Sequence, residues 1–416
     1  MAYQKRFADK ILQDRLKDSG AVLIQGAKGC GKTETATQVA KSVTHLDVDD
    51  DARFRMEVDP KSVLAGPVPK LIDEWQEYPQ IWNYVRREVD NRKKKAQFIL
   101  TGSANPQERA RLHSGAGRFS VMKMRPMSLY EKGWSTGEVS LAGLSKGKVP
   151  KSEQVEFKLE TLAEKLTLGG WPSLLGAGGR RALRFMQDYV SLLAEIDINR
   201  LAGKKRDPRK VMRLLQSLAR NISTEASVKS LAKDVDGSGV TLADETITEY
   251  LEALERLMTL EQLPAWSPHI RSADTLRKAP KHHFVDPSLA IGALGLSIDK
   301  ILADLNYFGL LFESLVIRDL RIYAEAHGGN VYHYRDSRNF EIDAVVEYPD
   351  NTWAAFEVKM GFNAQDEAAA NLLKFAKKID QEKMGPPLSL TVISANGFAC
   401  RRKDGVNVVP LSALTA

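Results

Sequence analysis

The chain has 416 residues, a formal net charge of +7, 27% charged and 43% hydrophobic residues, and two cysteines, Cys30 and Cys400. That length exceeds what one hydrophobic core sustains, so two to four domains are expected, of ordinary globular composition. No run of eighteen apolar residues is present, residues 1–10 lack the apolar centre of a signal peptide, and two distant cysteines make neither a disulfide framework nor a zinc set. The expectation is a protein of the reducing cytoplasm with no membrane partner, whose charge permits a polyanionic partner but is mild for a dedicated nucleic-acid binder.

In chain order, the apolar run Ala21-Val22-Leu23-Ile24 leads into Gly26-Ala27-Lys28-Gly29-Cys30-Gly31-Lys32-Thr33, and residues 34–43 read as a helix. Strand, glycine-rich loop and helix with G-x-x-x-x-G-K-T at the junction is the pattern of a phosphate-binding loop. Gly26, Gly29 and Gly31 let the loop curl so that its N–H groups point at phosphate oxygens. Lys32 would reach the β- and γ-phosphates of ATP, and Thr33 would offer its hydroxyl to Mg2+. A second strand is expected at residues 45–48 and a third at 68–72, ending in Asp73-Glu74. Ile81, Trp82, Val85 and Val89 recur at helical spacing, so a helix is expected over 79–92. Phe98-Ile99-Leu100 then forms a fourth strand, ending in Thr101-Gly102-Ser103, and residues 119–124 a fifth.

Strands alternating with helices imply a parallel sheet, which binds ligands at its carboxyl edge. The loop, Asp73-Glu74 and Thr101-Gly102-Ser103 all fall on that edge. Asp73 would hold the Mg2+ shell and Glu74 would polarise the attacking water. Thr101 or Ser103 would hold the γ-phosphate or position water.

These residues, with Gly117-Arg118 and Pro126-Met127-Ser128, resemble prokaryotic AAA+ family ATPases whose C-terminal half was long filed as a domain of unknown function. The resemblance implies an arginine that senses the γ-phosphate, in cis or from a neighbouring subunit of a homo-oligomer. Arg118 is the candidate, and Arg109 and Arg111 compete with it.

Residues 135–151, rich in Gly, Ser and Lys, read as a loop or hinge, and helices resume over 153–168 and 182–198. Seven basic residues between 199 and 213, namely Arg200, Lys204, Lys205, Arg206, Arg209, Lys210 and Arg213, could meet DNA phosphates. No aromatic residues interleave them for base stacking. Helices at 208–219, 228–235 and 245–258, followed by extended stretches at 261–266 and 282–285, look like a winged helix, as the family resemblance also implies. The helix in the recognition position carries Asp244, Glu245, Glu249, Glu252 and Glu255, which DNA phosphates would repel. That favours a structural or protein-docking role. His282 and His283 are neighbours in an expected strand and point to opposite faces, so they do not chelate a metal together.

A long helix over 307–326 carries Glu313 on its apolar stripe, beside Val316, Ile317 and Leu320, which is costly unless the carboxylate is paired or binds metal. Residues 339–348 and 352–359 read as a hairpin around Pro349-Asp350-Asn351. A three-residue loop sets Asp343 opposite Glu357 and Glu341 opposite Lys359, all four on one face. Asp343, thirteen residues, then Glu357-Val358-Lys359 resembles the PD-(D/E)xK nuclease core, with Glu313 in the place of its helical acid and a helix at 365–379 after it. Asp343, Glu357 and Glu313 would hold Mg2+, and Lys359 would orient the attacking water. The proline of the motif's name is absent, since Glu341-Ile342 precede Asp343, and a plain charge lattice with Glu341 paired to Lys359 is the competing reading.

The expected architecture is an α/β P-loop NTPase domain of AAA+ type over residues 1–125, a helical lid or linker over 126–204, a winged-helix-like region over 205–300 and a nuclease-like domain over 301–416. Three functions compete: an ATPase that changes how the C-terminal domains engage DNA, an ATP-gated switch acting on a protein partner, and a nuclease gated by the ATPase.

Overall fold

The computed structural model describes residues 2–102, 114–154, 157–198, 206–236, 243–268 and 279–416. Five strands, β1 (Ala21–Gln25), β2 (Ser42–His45), β3 (Lys70–Asp73), β4 (Phe98–Gly102) and β5 (Phe119–Lys123), form one sheet in the order β2-β3-β4-β1-β5. All pairings within it are parallel. Both faces are covered, so the central strands are apolar throughout rather than alternating. Alternate side chains serve two cores. Val22, Ile24, Leu71 and Ile99 pack with Leu12 and Leu16 of the first helix (Phe7–Asp18), whereas Leu23, Ile72, Phe98 and Leu100 pack with Trp75, Trp82 and Val85. Burying a side chain of that size contributes about 1.5–3 kcal/mol.

Several boundaries differ from expectation. The helix after the phosphate loop stops at Thr37, and the second strand occupies Ser42–His45 rather than 45–48. The backbone ladder with β3 selects the earlier register, pairing His45 with Asp73. Residues 135–151 are not a plain hinge. Val139–Ser140 forms β6, a helix spans Leu141–Ser145, and β6 pairs with the far end of the chain at Leu414–Thr415.

In the middle of the chain the helices Leu159–Leu168 and Gly179–Leu192 precede Pro208–Arg220, Val228–Asp236 and Asp244–Arg256. An antiparallel hairpin follows, β7 (Leu260–Leu263) with β8 (Lys281–Phe284). Beyond β7 the chain runs along the C-terminal sheet, where Trp266 N–H donates to the His333 carbonyl at 2.6 Å.

The C-terminal part opens with the helix Leu305–Glu325. The strands β9 (Asn330–Arg335), β10 (Glu341–Glu347), β11 (Trp353–Lys359), β12 (Leu390–Ser394), β13 (Cys400–Arg401) and β14 (Asn407–Pro410) lie in the order β13-β14-β12-β11-β10-β9. The pairs β9–β10 and β10–β11 are antiparallel, and β11–β12 is parallel across the helix Gln365–Lys378. Phe375 and Leu372 of that helix cover one face of the sheet. Phe308 and Phe312 of the long helix belong to the core on its other face.

Candidate functional sites

The phosphate loop sits at the carboxyl end of β1, and its sequence leaves the backbone little choice. A Cβ on Gly26 would lie 2.2 Å from the Met124 carbonyl oxygen, so only glycine fits there. Gly29 and Gly31 have φ of +73° and +101°, a conformation that carries little penalty for glycine alone. Lys32 is buried, and its ammonium donates to the carbonyls of Gly26 (2.9 Å) and Ala27 (3.0 Å), inside the curl of the loop.

Three strands converge on Asp73. Thr33 Oγ1 donates to Asp73 Oδ1 at 3.0 Å, Thr101 Oγ1 donates to the same oxygen, and His45 Nδ1 lies 3.1 Å from Oδ2. Adjacent parallel strands β2, β3 and β4 end in step there, since His45, Asp73 and Thr101 are register partners. Glu74 follows in the left-handed region at φ 50° and accepts a hydrogen bond from Gln76 Nε2. Non-glycine residues held there are strained, and such strain gathers at functional sites. Ser103, Arg109 and Arg111 fall outside the described residues.

Arg118 stands elsewhere. It precedes β5, and its carbonyl accepts the Ala21 N–H at the amino end of β1. The phosphate loop follows the opposite end of β1, about 13 Å away at roughly 3.3 Å per residue. Its guanidinium pairs with Asp90 at 2.9 Å on the helix Ile81–Arg92. Arg118 is thus set at the end of β1 away from the phosphate loop of its own chain.

Several residues that hold the loop were not singled out in the sequence. Arg6 donates to the carbonyls of Cys30 (3.2 Å) and Arg125 (2.9 Å) and pairs with Glu131 at 3.1 Å. Tyr189 donates to the Lys28 carbonyl at 3.2 Å, and Lys28 is ion-paired with Asp197, so the helix after residue 178 grips the rim of the loop. His45 was findable, because a strand beside β3 places its last residue next to Asp73. The partners of Arg6 and Lys28 carry no local signal.

The C-terminal cluster gathers Glu313, Asp343, Glu357 and Lys359. Lys359 lies 3.0 Å from Glu357 and 3.9 Å from Asp343. Asp343 Oδ2 accepts the Val358 N–H at 2.8 Å, and Glu357 Oε1 accepts from Asn371 Nδ2 at 2.9 Å. Glu313 is paired with Lys281 of β8 at 2.9 Å. Burial and the neighbouring Asp343 push the Glu357 carboxyl up to about 8. Burial, opposed by Lys281 and aided by Asp343, pushes Glu313 up to about 7.

The β10–β11 pairing runs from Glu347–Trp353 to Ala344–Phe356, and Asp343, next beyond it, reaches the β11 backbone at Val358. Glu341 departs from expectation. A register shift between Ile342 and Val345 changes the phase of β10, and Glu341 pairs with Arg335 at 3.0 Å instead of Lys359. The expected metal set also needs correction. Among the described residues no three His, Cys, Asp or Glu side chains form a group that could hold a metal ion, and Lys281 and Lys359 stand among the carboxylates of this cluster.

Of the basic cluster, Arg200, Lys204 and Lys205 lie outside the described residues. Arg206 turns inward, pairing with Glu249 at 2.8 Å and stacking on Tyr250 at 4.7 Å. Asp244, Glu245, Glu249 and Glu252 are exposed. Among the described residues no helix is long and apolar enough to cross a membrane.

Residues 18–132 match a family described as "AAA domain". Residues 159–300 and 308–414 match two families described only as domains of unknown function, DUF8612 and DUF4143. The chain is similar to uncharacterized proteins of Mycobacterium tuberculosis and Mycobacterium bovis, each 25% identical over 366 residues that span 86% of this chain and 74% of theirs. A solved Walker-type ATPase of Pyrococcus abyssi aligns over 68% of this chain and 94% of its own, at 12% identity and a TM-score of 0.42, too slight a likeness to carry an inference. The N-terminal part is thus an ATPase domain of AAA type, followed by two regions whose families have no assigned function.

Proposed function

We propose that the chain is a Mg2+-dependent ATPase, turning ATP into ADP and phosphate, and that hydrolysis is coupled to a DNA-binding or nuclease-like C-terminal region. The observation that carries this reading is the meeting of Thr33, Asp73 and Thr101 on one oxygen beside the lysine-filled phosphate loop. A hydroxyl and a carboxylate 3.0 Å apart are hard oxygen donors suited to magnesium, so Thr33 and Asp73 would hold the ion. Bound there, it would neutralise charge on the phosphate oxygens. Lys32 would exchange its two loop carbonyls for phosphate oxygens, and the N–H groups around Gly26, Gly29 and Gly31 would surround the phosphates. Glu74 would orient and polarise the water, with Ser103 placed after β4 to meet the γ-phosphate. Arg118 would act on the nucleotide of a neighbouring copy, which makes the working form a homo-oligomer.

We divide the chain at residues 125, 204 and 300; the matched families end at 132 and 300, and the one over 159–300 runs across residue 204. Three helices and the β7–β8 hairpin support a winged-helix reading of the middle region. A helix, three antiparallel strands, a second helix and a parallel strand, with Asp343, Glu357 and Lys359 at one edge, support a PD-(D/E)xK-like reading of the last. No cleavage step follows from that cluster, since its carboxylates do not gather around a metal position. The second reading is a nucleotide-gated switch that acts through a protein partner and carries an inactive nuclease-like domain. The exposed acids of Asp244–Arg256 support a protein rather than DNA as the partner of that helix.

Nucleotide binding is tested by titrating a fluorescent ATP analogue with Mg2+ into wild type and Lys32→Ala. Binding at least tenfold weaker in the variant is expected, and equal affinities would contradict the assignment of the loop.

A further inference from the structure

Lys281 brings a cation from outside the C-terminal sheet into its acidic cluster. It is the first residue of β8, in the hairpin with β7. Its ammonium is 2.9 Å from Glu313 Oε1, and only 7% of its side chain is exposed. It also lies in the field of Asp343 and Glu341. Lys359 serves Glu357 and Asp343 from the other side, at 3.0 and 3.9 Å. Three carboxylates therefore face two ammoniums, and neither lysine is a surface charge free to swing away without uncovering a buried acid.

A divalent ion shared by such carboxylates lies about 2.0–2.6 Å from their oxygens. An ammonium in contact with Glu313 takes up the same space and repels a second cation. We propose that Lys281 is the resident cation of the Glu313–Asp343–Glu357 cluster, and that it keeps a divalent metal out of those carboxylates. This rests on the nuclease-like reading of those carboxylates. The hairpin is also one element through which the ATPase domain reaches them, beside the helix Leu305–Glu325. In it Lys281 pairs with Leu263, two residues beyond Glu261, and Glu261 is bonded to Arg125, two residues after the end of β5. Strand β7 is thus fastened to the nucleotide-binding sheet while β8 delivers the lysine.

The test is Mn2+ binding to nucleotide-free full-length protein, followed by electron paramagnetic resonance, with Asp343→Ala as the subtraction that isolates this cluster. Wild type and Asp343→Ala should bind alike. Lys281→Gln keeps an N–H donor for Glu313 but no charge, and it should gain one site at least tenfold tighter than any in wild type. Adding Asp343→Ala to Lys281→Gln should remove it. A wild-type site that disappears in Asp343→Ala and is as tight as that of Lys281→Gln would overturn the role of Lys281 and leave the nuclease-like reading standing. No Asp343-dependent site in either protein would overturn both. The wild-type comparison needs no change at Lys281, so a poorly folded Lys281→Gln does not spare the proposal.

Discussion

Arg125 and Glu261 face each other through two hydrogen bonds, from Nη2 to Oε1 at 2.6 Å and from Nε to Oε2 at 2.8 Å. The third nitrogen of the guanidinium reaches Glu325 at 2.7 Å, and Arg321 stands 3.4 Å from Glu261. One arginine at the end of the ATPase sheet therefore ties down both the hairpin and the long C-terminal helix. Burial alone would raise the Glu261 carboxyl, yet Arg125 and Arg321 hold it well below the usual range.

Removing one partner strands a buried charge. Arg125→Met or Glu261→Gln should each cost about 3–5 kcal/mol, and the double variant less than their sum. Urea unfolding of the four proteins measures the coupling, and strict additivity would show that the pair joins nothing. Because the folded carboxyl is depressed, its contribution is complete above the ordinary glutamate range. It is lost only as the pH falls below that range.

Arg118 gives a prediction about assembly. Arg118→Ala should bind ATP normally and lose turnover, as should Glu74→Gln. If the arginine serves a neighbour, mixing the two inactive proteins restores some sites in which an intact Glu74 meets an intact Arg118 from the next copy. Turnover that reappears on mixing is the expected result. A mixture as inactive as its components would remove Arg118 from catalysis between subunits.

A third prediction concerns pH. Lys132 donates to the Gly169 carbonyl at 2.6 Å, lies 3.9 Å from the Trp134 ring, and has little contact with solvent. Burial pulls its ammonium down to about 7, with Asp286 opposing and Arg318 and Lys165 assisting. The folded chain then prefers the neutral amine. This group's stabilisation is full above the ordinary lysine range and is lost as the pH falls through about 7. Stability should accordingly rise between pH 7 and 10 by at most about 1.4 kcal/mol per unit from this proton, and Lys132→Met should lack that rise. Equal slopes for the two proteins in urea titrations would place the proton elsewhere.

What the sequence made legible follows the reach of its signals. The phosphate loop is a local pattern in which glycines, lysine and threonine act within eight positions, and it stands where a strand meets a helix. The hairpin register that sets Ala344 against Phe356 was also local, because a three-residue turn fixes which residues face each other. Long-range pairings left no such mark. Residues 135–151 read as a hinge because a two-residue strand completed by Leu414–Thr415 has no periodicity of its own. The shift inside β10 that sends Glu341 to Arg335 breaks the period-two rule on which its pairing was argued. Glu313 announced that it needed a partner but not that the partner was Lys281. Arg118 was visible as an arginine before a strand, whereas its distance from the loop required the direction of β5.

The central claim is hydrolysis at the carboxyl edge of the first sheet. The direct measurement is phosphate release from ATP and Mg2+ by wild type and by Glu74→Gln, with ATP binding recorded for both. Steady turnover in wild type, at least a hundredfold loss in Glu74→Gln and unchanged binding are predicted. Equal turnover in the two proteins, or none in wild type in any oligomeric form that binds ATP, would contradict the account.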